Sequence, residues 1–419
     1  WSLIWVTSQA RIRKNKVSKT NVFIDLGKMP LSNAFIPQEK IKLEENFYPL
    51  RVTFNEENYL VRLDHLVPPE NIFNEDYAYF SSCSQYWLDH SKKFCEMITQ
   101  RLFLSKDSLV LELASNDGYL LKNFVKTNIP CVGMEPSESV ANVAIEHGID
   151  TVIDFLGQQS ARSFISERGH ADLIVANNVL AHVPDIHDFV AGLKIALSKS
   201  GTITIEFPHL YNLIKFNQFD TIYHEHYSYL SMIALENLFQ EYSLCIYDVE
   251  EIATHGGSLR IYATHQNRLG VDLECSEEVL KLRNKEIEFG LNKLNTYKDF
   301  SERVADIKIT SRNRMQKLKD DNKKIFAYGA AAKGTIFLNY CNIGSDMIDF
   351  IVDINPHKQG KLMPGVKIPI IAPELIQEHK PDYILILPWN IKEEIMNQLL
   401  DIREWGGRFI ITIPEFKIF

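Results

Sequence analysis

The most reactive group of side chains lies in the nine residues 219–227, Phe-Asp-Thr-Ile-Tyr-His-Glu-His-Tyr. His226 can serve as a general base at neutral pH, and Glu225 beside it is a carboxylate able to orient such a base. Tyr223 adds a phenolic hydrogen-bond donor. These residue types are typical of a site that moves protons. A metal site formed by His224 and His226 is the alternative reading, although no third ligand lies nearby in the sequence.

A turn of small residues after a buried strand is a candidate cofactor site. The strand at 108–115 contains Glu112, and the turn continues to Gly118. Such a turn lets backbone N–H groups approach a ligand closely. About twenty residues later the next strand ends in Glu135, where a carboxylate can bind both hydroxyls of an adenosine ribose. The G-x-G-x-x-G fingerprint of dinucleotide dehydrogenases is absent, so the turn favours a methyltransferase cofactor. The candidate cofactor-binding residues are Tyr77, Ser82, Glu112, Ala114, Asn116, Gly118, Glu135, Asn177 and Asn178.

The stretch that contains Tyr77 and Ser82 is rich in aromatic and hydroxyl side chains, so it is either core or a lid over the cofactor. A second turn of small residues, 326–335, contains one lysine. It suits a diphosphate held by backbone N–H groups and by a positive charge. His255 lies in a Gly-Gly loop that a tight hairpin alone would also explain. The candidate substrate-binding residues are His255, Lys333, Asp353, Asn355, Trp389 and Asn390.

The overall composition restricts the class of partner. The chain has 419 residues and a formal net charge of −9, without a large Lys/Arg block, which argues against nucleic acid. No apolar run reaches the roughly 20 residues that span a bilayer. The six cysteines are scattered without a C-x-x-C pair, as expected for thiols in a reducing cytoplasm. We therefore expect a cytoplasmic protein that acts on a small molecule, as a monomer or a homodimer.

The middle of the chain alternates short apolar runs with helical stretches. This pattern indicates a parallel sheet with helices on both faces. The expected strands are residues 108–115, 130–135, 151–155, 171–177 and 201–207. The expected helices are residues 139–147, 158–167, 186–197 and 232–242. Strands at 244–249 and 258–264 are too close for a crossover helix, so they should pair antiparallel.

The remaining regions complete an α/β fold. Residues 275–320 carry apolar positions at helical spacing and predict one or two amphipathic helices. Strands expected at 324–328, 348–352, 383–387 and 408–413 predict a second, smaller α/β unit. We expect a small irregular N-terminal domain, a central domain, a helical linker and a C-terminal domain, at residues 1–90, 91–265, 266–322 and 323–419.

Several motifs in a fixed order give the chain a strong resemblance to the sugar C-methyltransferases that make branched deoxysugars for antibiotics and surface polysaccharides. The resemblance covers nearly the whole chain. It implies an N-terminal zinc-binding domain, a central class I methyltransferase domain of Rossmann-like fold and a Rossmann-like C-terminal domain that completes the substrate pocket. The motifs are residues 26–35, 77–82, 115–118, 178–185, 220–226, 255–260, 328–334, 353–360 and 389–390.

The same resemblance implies a reaction. S-adenosylmethionine would methylate a carbon beside the ketone of a nucleoside-diphosphate-linked 4-keto-deoxysugar, with carbon 3 as the expected position. His226 resembles the base that removes the acidic proton, and a histidine's ordinary pKa of about 6.5 suits that task. Glu225 and Tyr223 would orient the base or stabilise the enolate oxygen. His182 would lie near the same oxygen or near the transferred methyl group.

Two positions depart from the family pattern. The family's N-terminal domain binds zinc through four cysteines, but two of those positions are Asn55 and Asn58 here, and no cysteine precedes Cys83. We therefore expect no zinc. The second departure is Ala114, where the family has glycine, so the added methyl group could crowd the cofactor and weaken its binding.

Three other functions compete with sugar C-methylation. A sugar O- or N-methyltransferase would share the cofactor half but would need no base for a carbon-bound proton. A non-catalytic nucleotide-sugar-binding protein is the second rival, because the zinc ligands and the cofactor turn are altered. An oxidoreductase is the weakest option, because the glycine fingerprint is missing.

Overall fold

The structure is a computed structural model that describes residues 20–68, 72, 82 and 85–419. Its N-terminal part is built on an antiparallel sheet. In the third strand Leu50, Val52 and Phe54 are buried at two-residue spacing, so one face of the sheet packs on the core. The strands of this part are β1 (Thr20–Pro30), β2 (Ile36–Pro37), β3 (Phe47–Asn55) and β4 (Val61–Leu63).

A seven-stranded sheet forms the centre of the molecule, in the order β11-β12-β9-β8-β5-β6-β7. Its short Val- and Ile-rich strands are buried, as expected for a parallel sheet covered on both faces. The predicted parallel strands and the antiparallel final pair are confirmed. The strands are β5 (Val110–Leu113), β6 (Cys131–Met134), β7 (Thr151–Val152), β8 (Ala171–Asn177), β9 (Leu197–Pro208), β11 (Leu244–Ile252) and β12 (Ser258–His265). A short strand, β10 (Ser228–Tyr229), lies outside this sheet.

Helices cover the central sheet, and polar side chains fix two of their starts. The Asp185 carboxylate accepts hydrogen bonds from two backbone N–H groups at the start of α5, and the Ser231 hydroxyl accepts one at the start of α7. The helix α1 continues across the domain boundary expected at residue 90. The helices are α1 (Gln85–Leu102), α2 (Lys122–Lys126), α3 (Glu138–Glu146), α4 (Gln158–Arg168), α5 (Ile186–Ala196), α6 (Leu210–Lys215) and α7 (Met232–Glu241).

Two linker helices follow, α8 (Glu277–Phe289) and α9 (Leu294–Asp320), as the sequence predicts. The first ends at Gly290, whose φ of 92° lies in the left-handed region that favours glycine. Within α8, the buried Glu286 bonds His209 and accepts two backbone N–H groups at the start of α7. This contact fixes the linker to the central part. Among the described residues, none of the helices is long and apolar enough to cross a membrane.

The C-terminal part is a six-stranded sheet in the order β16-β14-β13-β17-β18-β19, in which the last strand is antiparallel. The four strands predicted from the sequence are present. The strands are β13 (Ile325–Tyr328), β14 (Phe350–Val352), β16 (Ile370–Ile371), β17 (Tyr383–Ile386), β18 (Arg408–Ile411) and β19 (Lys417–Ile418). The helices are α10 (Ala332–Cys341), α11 (Leu375–His379) and α12 (Lys392–Gln398).

The three parts are interlocked. Strand β10 joins the N-terminal sheet beside β4, and β2 pairs with the short strand β15 (Lys361–Leu362) of the C-terminal part. The Thr335 hydroxyl of α10 donates to the carbonyl of Ser32. Residues 219–229 therefore lie where all three parts meet.

Candidate functional site

The imidazole of His226 is oriented by the backbone. Its Nδ1 lies 2.9 Å from the carbonyl oxygen of Thr221. A carbonyl only accepts hydrogen bonds, so Nδ1 carries the proton and Nε2 carries the basic lone pair. The ring packs against Tyr223, with centroids 4.0 Å apart, and edge-on against His182 at 4.8 Å. Three candidate catalytic residues are therefore brought together.

The fourth candidate, Glu225, connects the site to the N-terminal part. Its Oε1 accepts hydrogen bonds from the Ser32 hydroxyl at 3.1 Å and from the Asn33 amide at 2.7 Å. The sequence suggested Glu225 as the orienting group for His226, whereas the orienting bond described above comes from Thr221. Ser32 and Asn33 were not predicted as site residues, although both lie in the motif at 26–35.

The two neighbouring histidines are neutral at physiological pH. Burial lowers the pKa of His182 to about 4, and it lowers the pKa of His224 to about 4 as well. His224 packs edge-on against the Tyr48 ring of β3, with ring centroids 5.9 Å apart. The two histidines of this segment thus lie in different surroundings, which does not suit a shared metal.

Tyr229 was not recognised from the sequence. Its ring lies 6.3 Å from that of His226, and its buried hydroxyl interacts with the backbone of Tyr223. The only sequence signal was its place just beyond the motif at 220–226.

The turn after β5 adopts left-handed backbone conformations. The φ angles of Ala114 and Asn116 are 47° and 52°. The Glu135 carboxylate closes the turn, because its two oxygens accept hydrogen bonds from the backbone N–H groups of Asn116 and Ser137, both at 2.9 Å. Burial raises the pKa of Glu135. A Cβ on Gly118, where φ is 77°, would lie 2.7 Å from a side-chain carbon of Ile149.

Acidic and unpartnered acceptor atoms converge beside this turn. Burial, together with the charges of Glu135 and Asp117, raises the pKa of Glu112 well above its ordinary value. Each unpaired buried acceptor costs roughly 1–3 kcal/mol unless a ligand supplies a donor. S-adenosylmethionine supplies ribose hydroxyls, an ammonium group and a sulfonium charge, so these residues fit it. Beside this turn, the buried atoms that find no partner within the described part of the chain are Glu112 Oε2, Ser115 Oγ, Asp117 Oδ1 and Asn177 Oδ1.

The other predicted cofactor residues lie around the same turn or outside the described residues. The backbone N–H of Ser82 lies 3.3 Å from Asp117 Oδ2. Asn178 adopts a φ of 57°, and its N–H donates to the carbonyl of Glu206. Tyr77 is not among the described residues.

The second turn, after β13, is surrounded by positive charge. Asp353 closes it by accepting the N–H groups of Ala330 at 2.7 Å and Asn355 at 2.8 Å. Lys358 donates to the carbonyl of Ala330 and lies 3.6 Å from Asp353. Asp353 and Asn355, predicted as ligand contacts, thus form part of the turn itself.

Lys333, Trp389 and Asn390 are brought together as predicted. The Lys333 ammonium donates to Asn390 Oδ1 at 2.9 Å and lies 4.4 Å from the centre of the Trp389 ring. The indole N–H of Trp389 donates to Asp220 at 2.7 Å. Asp220 was part of the 219–227 segment but was not predicted as a site residue. The His255 backbone lies in the turn Thr254–Gly256, and its side chain is not described.

The N-terminal part does not offer the ligands that zinc needs. Structural zinc sites use four cysteine or histidine ligands, but residues 16–73 contain no cysteine and a single histidine, His65. Asn55 Oδ1 instead accepts the N–H groups of Glu57 and Asn58, and Asn58 Oδ1 accepts that of Leu60. Side-chain amides therefore close the turn where the resembling family places zinc ligands.

Three family models match successive parts of the chain. They are described as “Putative zinc binding domain” at residues 16–73, “Methyltransferase domain” at residues 86–248 and “C-methyltransferase C-terminal domain” at residues 253–414. Their order is the one that the motifs indicated.

Several known proteins are similar to this chain. The C-methyltransferase NovU of Streptomyces niveus is 33% identical over 360 residues, covering 86% of this chain and 85% of NovU. A methyltransferase of Anabaena variabilis is 17% identical and covers 41% of this chain and 83% of its own, with a TM-score of 0.34. The magnesium protoporphyrin IX methyltransferase of Synechocystis is 13% identical over 47% and 88% of the two chains, with a TM-score of 0.33. The relationship to NovU and the matching models show that the chain belongs to the S-adenosylmethionine-dependent C-methyltransferases.

Proposed function

We propose that the enzyme methylates carbon 3 of a nucleoside-diphosphate-linked 4-keto-deoxysugar, in the biosynthesis of branched sugars for antibiotics or surface polysaccharides. The observation that carries this proposal is the orientation of His226. Its Nδ1 is held by the Thr221 carbonyl, so Nε2 is the basic atom, beside His182 and Tyr223. An oxygen or nitrogen nucleophile would not require such a base for a carbon-bound proton.

His226 removes the proton in the first step. Nε2 takes the proton from carbon 3, and the electron pair moves into the ketone at carbon 4 to give an enolate. The phenol of Tyr223 and the neutral His182 stabilise the enolate oxygen, since both can donate hydrogen bonds. Burial lowers the pKa of His182 to about 4. His182 is therefore neutral while His226 acts as the base.

Each of the two turns would hold one of the two reactants. Glu135 would bind the ribose hydroxyls of S-adenosylmethionine, and Glu112 and Asp117 would offset its positive charge. S-adenosylmethionine held there would supply an electrophilic methyl group for carbon 3, with S-adenosylhomocysteine as the leaving group and the ketone restored. Lys333 and the start of α10 would bind the substrate diphosphate, because a lysine and helix N–H groups both attract anions.

Isotope exchange tests the carbon–hydrogen step directly. In deuterium oxide without S-adenosylmethionine, the enzyme should exchange the carbon 3 proton of a nucleoside-diphosphate 4-keto-6-deoxysugar, and mass spectrometry measures the uptake. With the cofactor added, the product should gain a carbon-bound methyl group. The His226→Asn variant should lose exchange by at least about 100-fold.

The control for this test is His147→Asn, because His147 is exposed on the end of α3 and far from the reacting segment in sequence. This variant should exchange at the rate of the unaltered enzyme. Methyl transfer to a hydroxyl group without any exchange would instead identify a sugar O-methyltransferase. Near-full turnover by His226→Asn would show that another group is the base.

A further inference from the structure

Asp220 is a buried carboxylate that the proposed reaction does not use. It lies in the short turn Phe219–Thr221, and its side chain is 1% exposed. Its Oδ2 accepts the indole N–H of Trp389 at 2.7 Å, and the backbone N–H groups of Asp220 and Thr221 in its own turn also interact with the carboxylate. Burying a carboxylate costs free energy that its hydrogen bonds must offset, so these bonds fix its position.

Asp220 is surrounded by side chains of the C-terminal part, and the loop at 254–256 packs nearby on Trp389. Lys333 and Cys341 of α10 are titratable groups that interact electrostatically with it. Burial raises the pKa of Asp220 to about 7, and the Lys333 charge opposes that rise. The Lys333 ammonium lies over the Trp389 ring and donates its hydrogen bond to Asn390. It therefore attracts Asp220 through its charge and not through a direct hydrogen bond.

Trp389 is held on its other side by the loop at 254–256. A Cβ on Gly256 would lie 2.7 Å from a ring carbon of Trp389, so only glycine permits this approach. The Gln218 amide donates to the Gly256 carbonyl at 3.0 Å. The indole is thus fixed between this loop, Lys333 and Asp220.

The turn that bears Asp220 also orients the base. The next residue, Thr221, provides the carbonyl that accepts the Nδ1 proton of His226 at 2.9 Å. The hydroxyl of Thr221 donates to the Gln218 carbonyl at 2.7 Å and keeps the turn tight. The Asp220 carboxylate and the carbonyl that orients His226 therefore belong to one short turn.

We propose that Asp220 is a positioning residue that links the Lys333–Trp389 substrate pocket to the orientation of His226. When Trp389 is in place, its hydrogen bond fixes the turn at 219–221, and the base presents Nε2 to the substrate. The catalytic consequence rests on the proposed function, whereas the effect on the tautomer of His226 does not.

The first test needs no substrate. In protein labelled with ¹⁵N-histidine, two-bond ¹H–¹⁵N spectra report which ring nitrogen is protonated, and the His226→Asn variant identifies the His226 signals. Asp220→Ala and Trp389→Phe should each lower the Nδ1-protonated population of His226 by a measurable fraction. Asp220→Asn should preserve it, because the amide oxygen can still accept the indole N–H.

The second test is kinetic. Asp220→Ala and Trp389→Phe should each lower kcat and the rate of proton exchange by about tenfold or more, since a misplacement of 1 Å can cost about 100-fold. The Kd of S-adenosylmethionine should change by less than about threefold. The double variant should be no slower than the slower single variant, because the two substitutions remove the same hydrogen bond. Asp220→Asn should recover most of the lost kcat.

Trp405→Phe is the matched control. Trp405 belongs to the same C-terminal part, and its indole N–H donates to the Pro381 carbonyl at 3.0 Å, outside the site. This variant loses an equivalent hydrogen bond and should keep both kcat and the His226 spectrum. Unchanged His226 tautomers in Asp220→Ala and Trp389→Phe would overturn the proposal. Altered tautomers without turnover of any keto-sugar would support the positioning role and refute the proposed substrate.

Discussion

The turn after β5 and the turn after β13 use the same backbone arrangement. In both, the first residue after the strand has a positive φ, 47° at Ala114 and 89° at Gly329. In both, an acidic residue at the end of the next strand accepts two backbone N–H groups. One N–H belongs to the turn, and the other belongs to the residue two positions after the acid. That acid is Glu135 in the first turn and Asp353 in the second.

The two turns differ in the charges that surround them. Carboxyl groups of Glu112 and Asp117 lie beside the first, whereas ammonium groups of Lys333 and Lys358 lie beside the second. One backbone arrangement therefore suits a cationic cofactor in one place and an anionic diphosphate in the other, and the neighbouring side chains select the ligand.

The largest expected effect comes from removing the two closing acids. Glu135→Ala and Asp353→Ala should both lower the free energy of unfolding by roughly 1–3 kcal/mol, because each leaves two N–H groups without their partner. Only Glu135→Ala should weaken S-adenosylmethionine binding, by about 100-fold, since it also removes the ribose acceptor. Calorimetric titration and thermal unfolding measure the two effects. Equal loss of cofactor affinity in both variants would contradict the division between the turns.

The next expected effect concerns the anion pocket. Lys333→Ala should raise the KM for the sugar nucleotide by about tenfold or more, because a charge-assisted contact to phosphate is lost. The Kd of S-adenosylmethionine should stay the same. Lys361→Ala is the control, since it removes a lysine from the same part of the chain at β15. If the two variants raise KM equally, the positive charge of the C-terminal part as a whole explains the result, and a direct contact between Lys333 and the phosphate does not.

Much of this architecture could be predicted from local sequence patterns. Strand runs such as the one at 171–177 and the apolar stripe of α9 are set by burial, which leaves a periodic signal. The paired turns were also predictable, because small residues before a helix and an acid after the next strand are local features.

Contacts between distant residues could not be predicted in this way. The bond from Trp389 to Asp220 joins residues 169 apart, and the bond from Asn33 to Glu225 joins residues 192 apart. Neither leaves a local period, so Asp220 and Asn33 were missed as site residues. The role of the Thr221 carbonyl was missed for another reason: any residue type supplies a carbonyl, so only the fold reveals it.

A change of pH should affect the two turns in opposite directions. Burial and neighbouring carboxylates raise the pKa of Glu112, so rising pH ionises it and should strengthen binding of cationic S-adenosylmethionine. Burial lowers the pKa of Lys333, so rising pH removes its charge early and should raise the KM for the diphosphate. Glu112→Gln should flatten the pH dependence of S-adenosylmethionine binding. Lys333→Arg should flatten the pH dependence of the KM, because arginine stays protonated.

S-adenosylhomocysteine provides the control for the first trend. It lacks the sulfonium charge, so its affinity should depend less on pH than that of S-adenosylmethionine. Titration calorimetry at several pH values compares the two ligands. Parallel pH profiles for both would mean that the acidic residues do not respond to the sulfonium.

The smallest expected effect concerns the residue after each strand. An alanine in the left-handed region destabilises the folded state by about 1–2 kcal/mol. Glycine relieves this strain, but it raises the entropy of the unfolded chain, which costs roughly 0.4–1 kcal/mol of stability. Ala114→Gly should therefore raise the free energy of unfolding by at most about 1.5 kcal/mol, as measured by denaturant titration. At the equivalent position the reverse change, Gly329→Ala, places a Cβ 2.6 Å from Pro388 and should destabilise the fold. If Ala114→Gly destabilised the protein instead, the strain at this position would be smaller than its φ angle implies.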